Sequence, residues 1–231
     1  MIILSSVSKV FGQKKVVDSI SFKTKEGEII GFLGPNGAGK TTTMRLILGY
    51  LKPTTGKVSV GDFDPIDNRI EVLKQVGYLP ENNPLYLEMK VDEYLNFIAC
   101  AKNEKNWQNL VESVGLNEVL NKKIEELSRG FKQRVGLTAA LFGNPKYLIL
   151  DEPTSGLDPI EQEKIRDLIK KLAKKKTIIF STHILSEVED VANRLIIIYQ
   201  GKIIYDGKKP KEKGGVEKLF KLKIKAYEKS L

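Results

Sequence analysis

Residues 34–42, Gly-Pro-Asn-Gly-Ala-Gly-Lys-Thr-Thr, restrict the fold of this chain more than any other stretch. They match the P-loop pattern G-x-x-x-x-G-K-[ST], with Gly34, Gly39, Lys40 and Thr41 in the fixed places. The pattern needs a strand before it and a helix after it. Glu28–Leu33 reads as a buried strand. Thr42 to Gly49 carries apolar residues at Met44, Leu46, Ile47 and Leu48 and reads as a helix ended by glycine.

The spacing dictates a chemistry. Gly34, Gly37 and Gly39 let the backbone turn tightly and keep side chains away from the amide N–H groups that a phosphate would meet. The helix start at Lys40 adds unpaired N–H donors and the positive end of a dipole. Lys40 can reach β- and γ-phosphates, and the Thr41 hydroxyl can ligate Mg²⁺.

Two further segments fall on the same rim of a parallel sheet. Tyr147–Leu150 is an apolar strand running into Asp151 and Glu152. Ligands of open parallel sheets sit at the carboxyl ends of strands, which places Asp151 to hold Mg²⁺, through water. Strand alternation turns Glu152 away from Asp151, beside the γ-phosphate, where it can act as general base on a water. His183, the only histidine, follows the strand Lys176–Phe180 by a Ser-Thr step and reaches that rim as well. A neutral imidazole there can hydrogen-bond the γ-phosphate or the water. Ser128 opens a helix running to about Phe142 and is a good N-cap. Residue physics alone leaves it open whether that helix start also meets a phosphate.

Composition sets the remaining limits. With 41% hydrophobic and 29% charged residues, 231 residues can bury a full core as one large domain. Apolar runs such as Leu195–Tyr199 are far shorter than the ~20 residues of a membrane helix. The first residues lack the pattern of a secretory signal. Cys100 is the only cysteine, so no disulfide forms within the chain, which suits a reducing compartment. The net charge of +9 comes mostly from lysine and reads chiefly as a solvated surface.

Taken in order, residues 2–26 read as two or three strands, with Val16, Asp18, Ile20 and Phe22 alternating. Phe11, just before a turn, reads as a packing residue. A short strand is expected at Lys57–Val60, a weak helix at Ile66–Lys74 and a strand at Val76–Leu79. From residue 84 to about 142 helical spacing takes over, which reads as a helical lobe inserted in an α/β domain. From Tyr147 the pattern is βαβαβ, implying a largely parallel sheet. The tail from about 207 to 231 is lysine-rich, with one short helix expected at Val216–Leu222.

With these segments in hand, the chain resembles the nucleotide-binding subunit of an ATP-binding cassette (ABC) transporter over essentially its whole length. Gly34–Thr42 is similar to the Walker A motif and Tyr147–Glu152 to Walker B with its glutamate. Leu127–Phe131 is similar to the LSGGQ signature, Ser155–Asp158 to the D-loop and His183 to the switch histidine. The resemblance implies one α/β ABC ATPase domain over residues 1–231, with a RecA-like P-loop NTPase core, mostly parallel in its sheet, an antiparallel β lobe and the helical lobe. It implies ATP and Mg²⁺ as ligands and ATP hydrolysis coupled to transport. ATP would be held by Phe11, stacking on adenine, and by Gly34, Pro35, Asn36, Gly37, Ala38, Gly39, Lys40, Thr41 and Thr42. Thr41, Glu81 and Asp151 would hold the metal, and Glu152, His183 and Lys40 would carry catalysis.

The resemblance also implies two copies, or two related chains, paired head to tail, with Ser128 and Gly130 of one facing the ATP of the other and Asp158 in the D-loop between them. Transmembrane permease subunits would receive the motion at the cytoplasmic face of a membrane, with no nucleic acid involved. Three motifs depart from the family pattern, at four positions. Arg129 and Phe131 stand in the signature for glycine and glutamine, and Glu81 stands for the Q-loop glutamine. Phe11 replaces a commoner tyrosine. The variants resemble the exporter-type, ABC-2-like branch. An alternative class is a soluble ABC-type ATPase acting on ribosome or nucleic acid. Those proteins carry two cassettes or long coiled coils, whereas this chain has one cassette and no sustained heptads. A small-molecule kinase would account for the P-loop but not for the other motifs together.

Overall fold

Four neighbouring strands buried on both faces build the centre of the molecule, a computed structural model that describes residues 1–105, 107–173 and 175–230. The elements run β1 (Ile2–Phe11), β2 (Lys14–Lys23), β3 (Ile29–Leu33), α1 (Lys40–Ile47), β4 (Thr55–Val60), α2 (Arg69–Gln75) and β5 (Val76–Leu79). Then come α3 (Val91–Lys102), α4 (Gln108–Val114), α5 (Arg129–Leu141), β6 (Tyr147–Asp151), α6 (Pro159–Ala173) and β7 (Thr177–Thr182). The chain finishes with α7 (Leu185–Val191), β8 (Arg194–Tyr199), β9 (Lys202–Lys208) and α8 (Gly215–Glu228).

Six strands form one sheet in the order β5-β6-β7-β3-β8-β9. All its pairings are parallel except β8 with β9. Alternation divides its side chains between two cores. Ile29 and Leu33 of β3 join Leu148, Leu150, Ile178 and Phe180 in a core shared with α3 to α7. Ile30 and Phe32 join Ile149, Ile179 and Ile196 in a second core, with Met44, Leu46 and Ile47 of α1. That second core is closed by an antiparallel sheet ordered β2-β1-β4, through Ile2, Leu4, Ile20 and Val58. Each fully buried Ile, Leu or Phe contributes about 1.5–3 kcal/mol by leaving water.

Strand order places the motifs. β5, β6, β7 and β3 are successive neighbours pointing the same way, so Glu81, Asp151–Glu152, His183 and the P-loop leave the sheet along one rim. Residues 84–142 contain α3, α4 and α5 and, among the described residues, no strand.

The N-terminal stretch forms two strands before β3, within the two or three expected. Several local expectations are corrected. In β2 the buried residues are Val17, Ile20 and Phe22, not an unbroken alternation from Val16. Ser19 has φ 49°, and its N–H bonds the Ser8 hydroxyl at 2.9 Å where the β1–β2 register shifts, so a bulge resets the alternation. The helix expected at Ile66–Lys74 begins only at Arg69, after a turn in which Ile66 N–H bonds the Asp64 carboxylate. The C-terminal helix spans 14 residues rather than seven, because Val216, Leu219 and Phe220 pack on the first core and Tyr227 meets Tyr199.

Candidate nucleotide site

The loop after β3 is shaped by close backbone approaches. Gly37 and Gly39 have φ 78° and 106°, conformations that side-chain-bearing residues rarely adopt. A methyl group on Gly34 would collide with the Ile198 carbonyl of β8. Gly34 N–H bonds Thr182 O of β7 (3.3 Å), and Gly201 N–H bonds Ala38 O (3.1 Å), so the loop is tied to both neighbouring strands. Thr43 donates its hydroxyl to Gly39 O (2.8 Å), within the first turn of α1.

Inside this loop lies the Lys40 ammonium, 5% exposed. It donates to Gly34 O (2.7 Å) and Pro35 O (3.3 Å) and forms an ion pair with Glu152 Oε1 (3.2 Å). The other Glu152 oxygen is 2.9 Å from His183 Nδ1. Glu152 thus joins the P-loop lysine to the switch-position histidine, and His183 leaves the sheet half-exposed.

The aim of Glu152 has a different cause from the one expected. β6 ends at Asp151, and Glu152 has φ 50°, outside any strand geometry. Its N–H is held by Ser181 O and Oγ, both at 3.1 Å. A left-handed turn clamped by Ser181, not strand alternation, carries the carboxylate toward Lys40. Asp151 is 1% exposed and accepts the Ser181 hydroxyl on Oδ1 at 2.5 Å. Its Oδ2 is buried with no hydrogen-bond partner among the described residues. An orphaned buried carboxylate oxygen beside a phosphate-type loop is what a water-bridged cation would satisfy. No group of three or more His, Cys, Asp or Glu among the described residues could hold a metal alone. That donor set suits Mg²⁺, which keeps waters and substrate oxygens in its shell.

A pocket of about 340 Å³ opens over the loop, lined among others by Asn36, Gly37, Gly39, Lys40, Thr41, Thr42, Glu81, Glu152, Ser155 and His183. The P-loop, Glu81, Glu152 and His183 therefore converge. Phe11 is not part of that lining: it is 46% exposed at the end of β1, with the Lys9 ammonium 5.0 Å from its ring centroid, and Val16 of β2 faces the pocket instead. Ser128, Gly130 and Asp158 also lie off the pocket lining within one chain. Ser128 caps α5, accepting Phe131 N–H at 3.4 Å, and Asp158 caps α6, accepting Glu161 N–H at 3.0 Å. Sequence reading missed Val16 and Ser181. Ser181 is invisible because its role depends on β6–β7 pairing.

The chain matches the family model described as ABC transporter over residues 17–155. It is 41% identical over 207 residues to the bacitracin transport ATP-binding protein BcrA of Bacillus licheniformis, covering 87% of this chain and 67% of that protein. The dimeric post-hydrolysis structure of the ATP-binding cassette MJ0796 bound to ADP and Pi superposes with TM-score 0.80 at 27% identity, covering 90% of this chain and 98% of that one. The structure of cbiO1 from Clostridium perfringens, part of the ABC transporter complex cbiONQ, gives TM-score 0.81 at 25% identity, covering 96% and 92%. The fold and pocket define a P-loop ATPase. The chain belongs to the ABC transporter family, as one of its ATP-binding, ATP-hydrolysing subunits.

Behind His183, in the first turn of α7, Glu187 is 2% exposed, with the Thr182 hydroxyl the polar group that favours its charged form. Burial pushes its carboxyl up from 4.5 to about 7, and the Glu152 charge adds to the rise. Between those values the folded chain keeps a proton that the unfolded chain has lost, so stability falls as pH rises and the penalty is complete above about 7. Glu187→Gln removes that penalty. Urea unfolding at pH 5 and pH 8 is expected to shift the stability difference in the variant's favour by roughly 2–3 kcal/mol at the higher pH. A pH-independent difference would contradict the assignment.

Proposed function

We propose that this chain binds Mg²⁺-ATP in the rim pocket, pairs head to tail with a second ATPase subunit around two nucleotides, and drives a transmembrane permease from the cytoplasmic face of the membrane. The observation that carries this reading is the Lys40–Glu152–His183 chain of contacts, built from three different strands' ends at one pocket. Lys40 holds Glu152 where the γ-phosphate would lie. ATP phosphate oxygens replace Glu152 as the partner of the ammonium, and the freed carboxylate accepts a proton from the attacking water. His183 orients the same carboxylate and can donate to the γ-phosphate. Thr41 and Asp151, with Glu81 at the pocket wall, would hold Mg²⁺, which neutralises charge on the β- and γ-oxygens when bound. The P-loop amides from Gly34 to Thr42 cradle the phosphates. Phe11 and Val16 would flank the base.

The pairing is supported by the two-chain state named for MJ0796. It gives Ser128, Gly130 and Asp158, which do not reach the pocket of their own chain, a nucleotide to meet. The core sheet, the antiparallel sheet and the helical lobe at 84–142 act as one ATPase domain over 1–231, with α8 in the basic tail. ABC ATP-binding subunits work with transmembrane permease components, and no helix among the described residues is long and apolar enough to cross a membrane. A permease surface is supported by Tyr86, Leu87 and Phe97, exposed by 57%, 49% and 52% on the helical lobe. The Tyr86 ring meets that of Tyr94, which lines a groove of about 400 Å³ with Tyr78, Pro80 and the α5 residues Gly136, Ala139 and Ala140. The identity to a bacitracin transport ATP-binding protein supports a role in transport.

Glu152→Gln is expected to bind ATP, lose hydrolysis by at least about a hundredfold and elute with ATP in Mg²⁺-free buffer at about twice the 26.0 kDa mass by light scattering. Lys40→Ala is expected to lose nucleotide binding itself. Wild-type turnover by Glu152→Gln would refute the assignment of the base. Tyr86→Ser with Phe97→Ser is expected to leave ATPase activity of the isolated chain unchanged and to prevent co-purification with the permease. Undiminished co-purification would place the docking surface elsewhere.

A further inference from the structure

The two unusual signature residues have partners within their own chain. The Arg134 guanidinium lies over the Phe131 ring, its carbon 4.1 Å from the centroid. It is buried, and it donates to Gly115 O (3.2 Å) and to Glu161 Oε2 (3.1 Å). The Arg129 guanidinium rests against Gly156, which has φ 68°: a methyl group on that glycine would run into it. Arg129 therefore meets the segment 155–161 directly, whereas Phe131 packs within α5 on Arg134, which in turn reaches Glu161.

Glu161 is the centre of that contact. Its carboxylate presses on Gly130 so closely that a methyl group there would collide with it. Its Oε2 accepts from Arg134, its Oε1 from Lys164 (2.8 Å), and its N–H donates to Asp158 Oδ1 (3.0 Å). The Glu161–Arg134 pair is largely shielded, at 16% and 11% side-chain exposure. Removing one member of such a pair leaves the other buried without its partner. At the far end of the same segment, Ser155 lines the chain's own nucleotide pocket. One short stretch, Ser155 to Glu161, thus touches the chain's own pocket at one end and Gly130 at the other.

We propose that Glu161 is the positioning residue of the signature end of α5, fixing Ser128 and Gly130 relative to the segment that senses the chain's own nucleotide. This rests on the head-to-tail reading, in which Ser128 and Gly130 meet the ATP of the other copy. A nucleotide that moves Ser155 would then move the donors presented to the second nucleotide, through Asp158, Glu161 and Gly130. Arg134 and Phe131 hold Glu161 in place, and Arg129 holds the segment from the other side.

The test compares Glu161→Ala and Glu161→Gln in the Glu152→Gln background. Glu161→Gln keeps the volume and an acceptor for Arg134. Both variants are expected to bind a fluorescent ATP analogue as the parent does when dilute and monomeric. ATP-driven dimerisation, followed by sedimentation velocity, is expected to weaken about tenfold in Glu161→Ala and less in Glu161→Gln. Adding Ser128→Ala is the reading that a purely structural role would not move: Glu161→Ala is expected to cost nothing further in dimerisation once Ser128 is gone. A parent that dimerises while Glu161→Ala dimerises equally well overturns the inference alone. A Glu161→Ala loss that adds in full to that of Ser128→Ala overturns it too. A parent that stays monomeric with ATP overturns the head-to-tail reading and the inference with it.

Discussion

One ammonium group organises the site. Lys40 is buried at the rim of the sheet, where a bare positive charge is costly unless oxygens surround it. Gly34 O, Pro35 O and Glu152 Oε1 supply them. Each has its own structural requirement. The two carbonyls point inward because the loop turns through positive-φ glycines and lies against β8 too tightly for any side chain at Gly34. The carboxylate points inward because Glu152 is held in a left-handed conformation by Ser181 of the next strand. The parallel order of β6, β7 and β3 sets these pieces side by side. The two cores below keep that order, since each strand commits alternate residues to each.

The arrangement is a resting state for phosphate chemistry. Glu152 neutralises the lysine that phosphate would otherwise meet, and it is itself restrained by His183. On the proposed reading, nucleotide binding would exchange one anion for another at the same cation and leave the carboxylate free to act on water beside the γ-phosphate. An ATPase that would waste fuel in isolation gains from a base that is occupied until substrate displaces it.

Much of this was legible in the sequence, for identifiable reasons. A P-loop is contiguous, and its glycines and lysine announce their roles by spacing alone. The β3 strand before Gly34 and the α1 helix after it lie where the apolar pattern puts them. Continuous apolar runs in β6 and β7 predict buried parallel strands, and the acids and the histidine at their ends share a rim. What depends on a neighbouring strand was not legible. Ser181 looks like any hydroxyl until β7 pairs with β6, and without it Glu152 was assigned its direction from alternation, which ends one residue earlier. The Ser19 bulge is invisible because it follows from the Ser8 hydroxyl across the sheet. Arg129 and Phe131 looked like defects of a motif. Phe131's partner Arg134 lies one turn on in the same helix, but Arg129's partner Gly156 and Arg134's partner Glu161 become apparent only once α5 packs beside the segment 155–161.

The central claim is that ATP phosphate and Glu152 compete for Lys40. Isothermal titration of ATP, without Mg²⁺, into the dilute Ser128→Ala chain with and without Glu152→Gln measures that competition, because the weakened pairing and the low concentration together keep dimerisation out of the observed affinity. The account predicts tighter ATP binding when glutamine replaces Glu152, since the neutral amide gives up the lysine more readily than the carboxylate. Equal or weaker binding would contradict it, and would mean that the Lys40–Glu152 pair is not what the phosphate displaces.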